Sequence, residues 1–153
     1  TYIESDLELM FPPTYIPNDS ERISLYRELD NMEEERDILA FTERLKDRFG
    51  KIPKEGKELI RIVRLRRMAK KLGMEKLVLK KGQMSIFLIA NPDSPYYQSE
   101  AFDKLLAFIQ KHPRECNLRE QNGKRSILIK NIDTVEAACS LVQEIEKTKT
   151  ITS

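Results

Sequence analysis

GQMSIFLI (Gly82–Ile89) and GKRSILIK (Gly123–Lys130) share the frame Gly-x-x-Ser-Ile-apolar-apolar, and Leu77 and Leu118 each stand five residues before the glycine. A glycine between two short apolar runs reads as a hairpin turn, and Asn122-Gly123 is a strong type I′ signal. Each hairpin is followed by a stretch of helical period. The first carries Phe102, Leu105, Leu106 and Ile109; the second carries Val135, Ala138, Cys139, Val142 and Ile145. Asp133 with Glu136 gives the second helix a start like a capping box. The back half therefore reads as two ββα units forming an antiparallel sheet covered by helices.

The front half is helical, which makes the expected class α+β. DLELMFPP (Asp6–Pro13) alternates Leu7 and Leu9 with acids, as a short strand does before an irregular entry through Pro12 to Pro17. A first helix follows, capped by Asn18, Asp19 or Ser20, with Ile23, Leu25, Tyr26 and Leu29 as its apolar side. A second spans about 33–49 on the stripe Ile38, Thr42, Leu45, Phe49. Gly50 suits a left-handed helix end and Pro53 the start of the next helix, so FGKIP (Phe49–Pro53) is a corner that Phe49 anchors. A third helix, about 54–72, has Leu59, Ile62, Val63, Leu65, Ala69 and Leu72 on one side. Lys57, Arg61, Arg64, Arg67 and Lys71 recur on another, and Gly73 closes it.

The chain has 153 residues, fits one compact domain, 1–153, and buries enough surface to fold without a metal or disulfide. Its formal charge of +2 hides an asymmetry. Thr1–Phe49 holds thirteen acids against six Lys/Arg, whereas Lys57–Lys81 holds ten Lys/Arg against Glu58 and Glu75. Two differently charged faces can orient docking without identifying a partner. Cys116 and Cys139 form no CxxC and suit reduced thiols in the cytoplasm. No apolar run reaches the roughly 20 residues of a membrane span. The chain starts at Thr1, and the expectation is a domain within a longer polypeptide.

Catalytic chemistry is sparse. His112, the lone histidine, precedes Pro113 at a helix end, where a cation complements the helix dipole. There is no phosphate-cradling glycine run, no metal set and no nucleophile elbow, so no cofactor is expected. Cys116 and Cys139 fall on apolar positions and read as packing. The loop NPDSPYYQ (Asn91–Gln98) carries two tyrosines that either bind a partner or cover the sheet edge. The basic face Lys57, Arg61, Arg64, Arg67, Lys71 is open to two readings, a solvated or protein-facing surface and a phosphate-contacting one.

The succession IPNDSERISLYREL, LKDRFGKIP, IRIVRLRRMAKKLGMEKL resembles the C-terminal domain of bacterial transcription-repair coupling factors, the Mfd family, over about 15–77. Ile23 stands where that family has Leu. Members are multidomain, ATP-dependent DNA translocases that displace stalled RNA polymerase and recruit nucleotide-excision repair. For this piece the resemblance implies a non-catalytic, autoinhibitory interaction domain. It would pack on the N-terminal UvrB-like module of the parent chain and mask the surface that recruits UvrA. Glu43, Asp47 and Arg48 are then the expected interface. Glu43 and Asp47 are like charges at i and i+4, a mild penalty that a basic partner reverses. The other reading leaves them on a solvated face balanced by Arg44 and Lys46. The alternative function is a nucleic-acid contact through the basic helix.

Overall fold

The computed structural model describes residues 1–149, which divide into two compact units. One comprises Thr1–Leu7 with the chain from Leu65 onward; the other is Glu8–Arg64. In order the elements are β1 (Tyr2–Ser5), α1 (Asp19–Asp30), α2 (Glu35–Phe49), α3 (Lys54–Lys71), β2 (Lys76–Lys80), β3 (Gln83–Phe87), α4 (Glu100–Lys111), β4 (Cys116–Gln121), β5 (Lys124–Lys130) and α5 (Val135–Lys147). A 3-10 turn, Pro95–Gln98, precedes α4, and the boundary between the units falls inside α3.

The class is α+β as expected, but the sheet is mixed rather than antiparallel. Its five strands run β1-β2-β3-β5-β4, and β1 lies parallel to β2. The expected strand through Leu7 and Leu9 does not form. Pairing ends at Ser5, where Asp6 N donates to Leu79 O at 3.0 Å and the Asp6 carboxylate takes the Lys81 amide at 2.9 Å, turning the chain off the sheet edge. Two alternations before a pair of prolines are too few to hold a strand against that local closure.

Both hairpins turn as read. Lys81 and Gly82 have φ of 55° and 70°, and Asn122 and Gly123 have φ of 54° and 76°, the paired positive φ of a type I′ turn. That turn fixes register, and register sorts the side chains. Leu77, Ile86 and Ile127 align across three strands, as do Leu79, Met84 and Ile129, and all six are buried. Intervening positions are only half-buried, so one face of the sheet is core and the other is solvated. Leu105, Ala107 and Phe108 of α4 and Val135, Ala138, Val142 and Ile145 of α5 complete that core, the two helices packing together. Thr134, not Asp133, caps α5, its hydroxyl accepting Ala137 N at 3.0 Å.

Gly73 ends α3 in a Schellman motif: Met74 N donates to Ala69 O and Gly73 N to Lys70 O, at 3.0 and 3.1 Å. Its φ is +71°, and a Cβ there would lie 2.2 Å from the Cε1 of Tyr96, whose hydroxyl donates to Leu72 O at 2.8 Å. The glycine is required twice, for conformation and for space.

The helical unit packs around Phe11, Ile16, Leu29, Ile38, Phe41, Leu45, Ile52, Ile60 and Val63. Asn18 caps α1 by accepting Glu21 N at 2.9 Å. Two stripe assignments shift: Ile23 is 50% exposed, and Phe41, 1% exposed, replaces Thr42 as the central residue of α2. Thr42 instead donates its hydroxyl to Ile38 O at 2.8 Å. The α2–α3 corner exists, but Gly50 (φ 86°, ψ −160°) is not left-handed helical; it occupies a region essentially reserved for glycine. Ile52 is the buried anchor there. Phe49 is half-buried, its ring centre 5.7 Å from that of Tyr15, whose hydroxyl donates to Gly50 O at 2.8 Å.

Candidate docking surface

The exposed side of α2 arises because Ile38, Phe41 and Leu45 commit the opposite side to the core. Glu43, Asp47 and Arg48 are all exposed, as the stripe requires. Asp47 and Arg48 line a groove of about 280 Å³ together with Leu25, Phe41, Arg44, Leu45 and Phe49. Glu43 stands outside that lining and pairs with Lys46 at 3.5 Å.

Ties between α1 and α2 flank the groove. Arg44 pairs with Glu28 and Arg48 with Glu21, while Leu25 lies between those two glutamates on α1. The Arg44 and Arg48 guanidiniums also sit 5.7 and 5.0 Å from the ring centres of Phe41 and Phe49. Arg44 therefore does not balance Asp47. Among the described residues Asp47 has no ion pair, and the unspent charge at the groove is negative. Sequence reasoning missed both ties because α1 and α2 had no predicted register against one another; Glu21, Leu25 and Glu28 at helical spacing were the available signal.

The basic face of α3 is not uniform. Arg64 Nε contacts both carboxylate oxygens of Glu35, at 2.9 and 3.2 Å, and Arg61 pairs with the buried Glu58 at 3.3 Å. Arg67 is half-buried, whereas Lys57 and Lys71 are exposed. Arg61 and Arg64 are thus spent within the helical unit.

The other candidates make contacts within the fold. Tyr96 and Tyr97 are half-buried and form an aromatic cluster with Phe102; burial pushes the Tyr96 phenol well above its ordinary range, with Tyr97 adding to the shift. The Tyr97 hydroxyl donates to Ile89 O, and Arg125 stacks 4.5 Å from its ring centre. His112 closes α4 and packs on Phe108, ring centres 4.4 Å apart. Cys116 is buried, and its thiol is raised by that burial and by Glu115; Cys139 is half-buried. Among the described residues no three His, Cys, Asp or Glu side chains are placed to hold a metal ion. No described helix is long and apolar enough to cross a membrane.

The chain thus combines a mixed five-stranded α+β sheet unit with a helical unit whose α2 borders an acid-edged apolar groove. Residues 5–99 match the TRCF domain family, and the chain belongs to it. It is 30% identical over 119 residues to the transcription-repair-coupling factor of Escherichia coli (strain K12), covering 77% of this chain and 10% of that protein. It is 27% identical over 135 residues to the transcription-repair-coupling factor of Rickettsia prowazekii (strain Madrid E), covering 86% of this chain and 11% of that protein. The chain thus spans about a tenth of these relatives. In fold it matches the crystal structure of the C-terminal domain of a transcription-repair coupling factor, with TM-score 0.72 at 17% identity, covering 97% of this chain and 94% of that one.

Proposed function

We propose that this chain is a non-catalytic, autoinhibitory domain of a larger cytoplasmic repair translocase. It docks on the parent's N-terminal UvrB-like module through α2 and masks the surface that recruits UvrA in nucleotide-excision repair. The observation that carries this reading is the charge state of the groove: Arg44 and Arg48 are engaged by α1, leaving exposed Asp47 to meet a basic partner, with Glu43, paired to Lys46, one turn away on the same helix. Arg48 then supports the surface as well as bordering it. On the same reading residues 1–153 act as one regulatory domain, and β2–β3–α4 and β4–β5–α5 are its two ββα units.

The test uses the full-length parent carrying Glu43→Lys and Asp47→Lys. Both side chains lie off the core stripe, so the fold is retained. UvrA binding should rise in the absence of damage or stalled polymerase. A loss of docking equivalent to about 0.2–1 kcal/mol marks a rim contact, and roughly 2–5 kcal/mol a desolvated one. A stable double variant that binds UvrA no better than wild type ends the assignment of these two acids.

The alternative, phosphate binding along α3, is weakened by the engagement of Arg61 and Arg64. Neutralising Arg61, Arg64 and Lys71 should therefore change duplex DNA binding little at physiological salt. A salt dependence that flattens by roughly one per lost contact would favour the alternative.

A further inference from the structure

We propose that the solvated face of the five-stranded sheet binds single-stranded nucleic acid. The register sets Tyr2, Lys76, Phe87, Ser126 and Arg119 in one row across all five strands, opposite in pleat to the buried Leu77–Ile86–Ile127 row. That row reads aromatic, cation, aromatic, hydroxyl, cation. Tyr2 is 62% exposed and Phe87 half-buried, and the Lys76 ammonium lies 5.8 and 5.7 Å from their ring centres. The two rings are separated by two strand spacings, about 9–10 Å.

Four rows of residues further along the strands, Lys80, Gln83 and Lys130 form a second polar row on the same face. Between them lie Val78, Ser85 and Leu128, half-buried and uncharged, and the single acid Glu4. Glu4 pairs with Lys76 at 3.2 Å and Lys80 at 3.4 Å, which holds its carboxyl below the ordinary value. Among the described residues Lys130 and Arg119 have no ion pair. The face is therefore net basic, with its free cations on β4 and β5 and its flat rings on β1 and β3.

Cations flanking rings on an open sheet suit a polyanion whose bases can leave their own stack. Stacking on aromatic side chains tolerates any base, and backbone phosphates meet the cations. A duplex keeps its base faces inside the stack and cannot use the rings. An acidic peptide would satisfy the lysines but offers nothing for Tyr2 and Phe87. The proposal uses no residue of α2, and its failure would leave the docking reading untouched.

The test is fluorescence anisotropy of this chain with labelled twelve-nucleotide oligo-dT and oligo-U, a duplex of equal length and polyglutamate as competitor. Single strands should bind and the duplex bind less tightly. Tyr2→Ala should weaken single-strand binding by about 5- to 150-fold, with Phe87→Leu acting in the same direction, while Tyr2→Phe binds as wild type. Arg119→Gln and Lys130→Gln should each reduce the slope of log affinity against log salt by roughly 0.7. Tyr2 projects from an edge strand, so its variants keep the fold, which a thermal melt verifies. No single-strand binding by the folded chain at low salt, unaltered binding by folded Tyr2→Ala, equal affinity for duplex, or equal affinity for polyglutamate would each overturn the proposal.

Discussion

The sheet unit and the helical unit differ in how far their cations are engaged. On the solvated face of the sheet, Lys76 and Lys80 share Glu4 while Lys130 and Arg119 have no ion pair among the described residues, whereas on the helices Arg44, Arg48, Arg61 and Arg64 are all engaged by glutamates. A strand's alternation puts successive side chains on opposite faces, so neighbours along the chain seldom neutralise one another there. On packed helices, residues three or four apart and residues across the helix pair converge, and a run of cations becomes internal structure. A charge-rich helix is therefore a poorer guide to a binding face than a charge-rich strand.

The two units can be compared by perturbing what holds each. Phe41→Ala should be the most damaging change in the helical unit, costing about 3–5 kcal/mol by chemical denaturation, because the ring is 1% exposed at the centre of its cluster. Half-buried Phe49→Ala should cost distinctly less; equal losses would mean that the corner, not the cluster centre, governs that unit.

In the sheet unit the corresponding weak point is Gly73. Gly73→Ala should cost about 2–4 kcal/mol, from the positive φ and from displacement of Tyr96. In a Tyr96→Ala background the same substitution should cost less, and a double-mutant cycle measures the shared part. Additive losses would show that φ strain alone accounts for the glycine.

Alkaline pH should act mainly on the sheet unit. Cys116 and Tyr96 have folded-state values raised above their ordinary 9.0 and 10.0. The folded state then holds protons that the unfolded chain releases, so stability present below pH 9 falls as pH rises through and beyond the ordinary thiol and phenol values. Urea midpoints at pH 7, 9 and 10.5 should decline, and Cys116→Ala with Tyr96→Phe should flatten the decline. Tyr15 in the helical unit is also raised by burial and adds to the effect above pH 10.

The smallest effect should come from the ties beside the groove. Arg48→Ala and Arg44→Ala should each change stability by about 0.2–1 kcal/mol, since both guanidiniums are largely exposed. Larger losses would show that the ties hold α1 against α2 rather than merely tuning the groove.

What the sequence disclosed follows the range of the interactions. The Asn122-Gly123 turn, the Gly73 stop and the apolar stripe of α5 depend on residues a few positions apart, and they form as read; on α4 the buried side is Leu105, Ala107 and Phe108, with Phe102, Leu106 and Ile109 of the expected stripe only half-buried. β1 was missed because its partner, β2, lies about seventy residues away, and the nearby Leu7/Leu9 alternation imitated a strand. Asp47 and Glu43 were legible as exposed acids, since the Ile38–Leu45 stripe dictates that. The groove beside Asp47 was not, because it needs Leu25 from another helix and the ties of Arg44 and Arg48 to Glu28 and Glu21 that flank it. The Tyr2–Lys76–Phe87 row likewise needs three strands in register before it exists.

The parallel pairing of β1 with β2 also orders events in time. Tyr2 must wait for Lys76 to be synthesised, a delay of roughly 4–15 s at ribosomal rates. The hairpins around Gly82 and Gly123 can close within microseconds of emerging. Because loop-closure entropy opposes the distant pairing, β1 should be the last strand to join and the first to exchange its amides. The first residues of the chain thus complete a sheet that the later residues have already built.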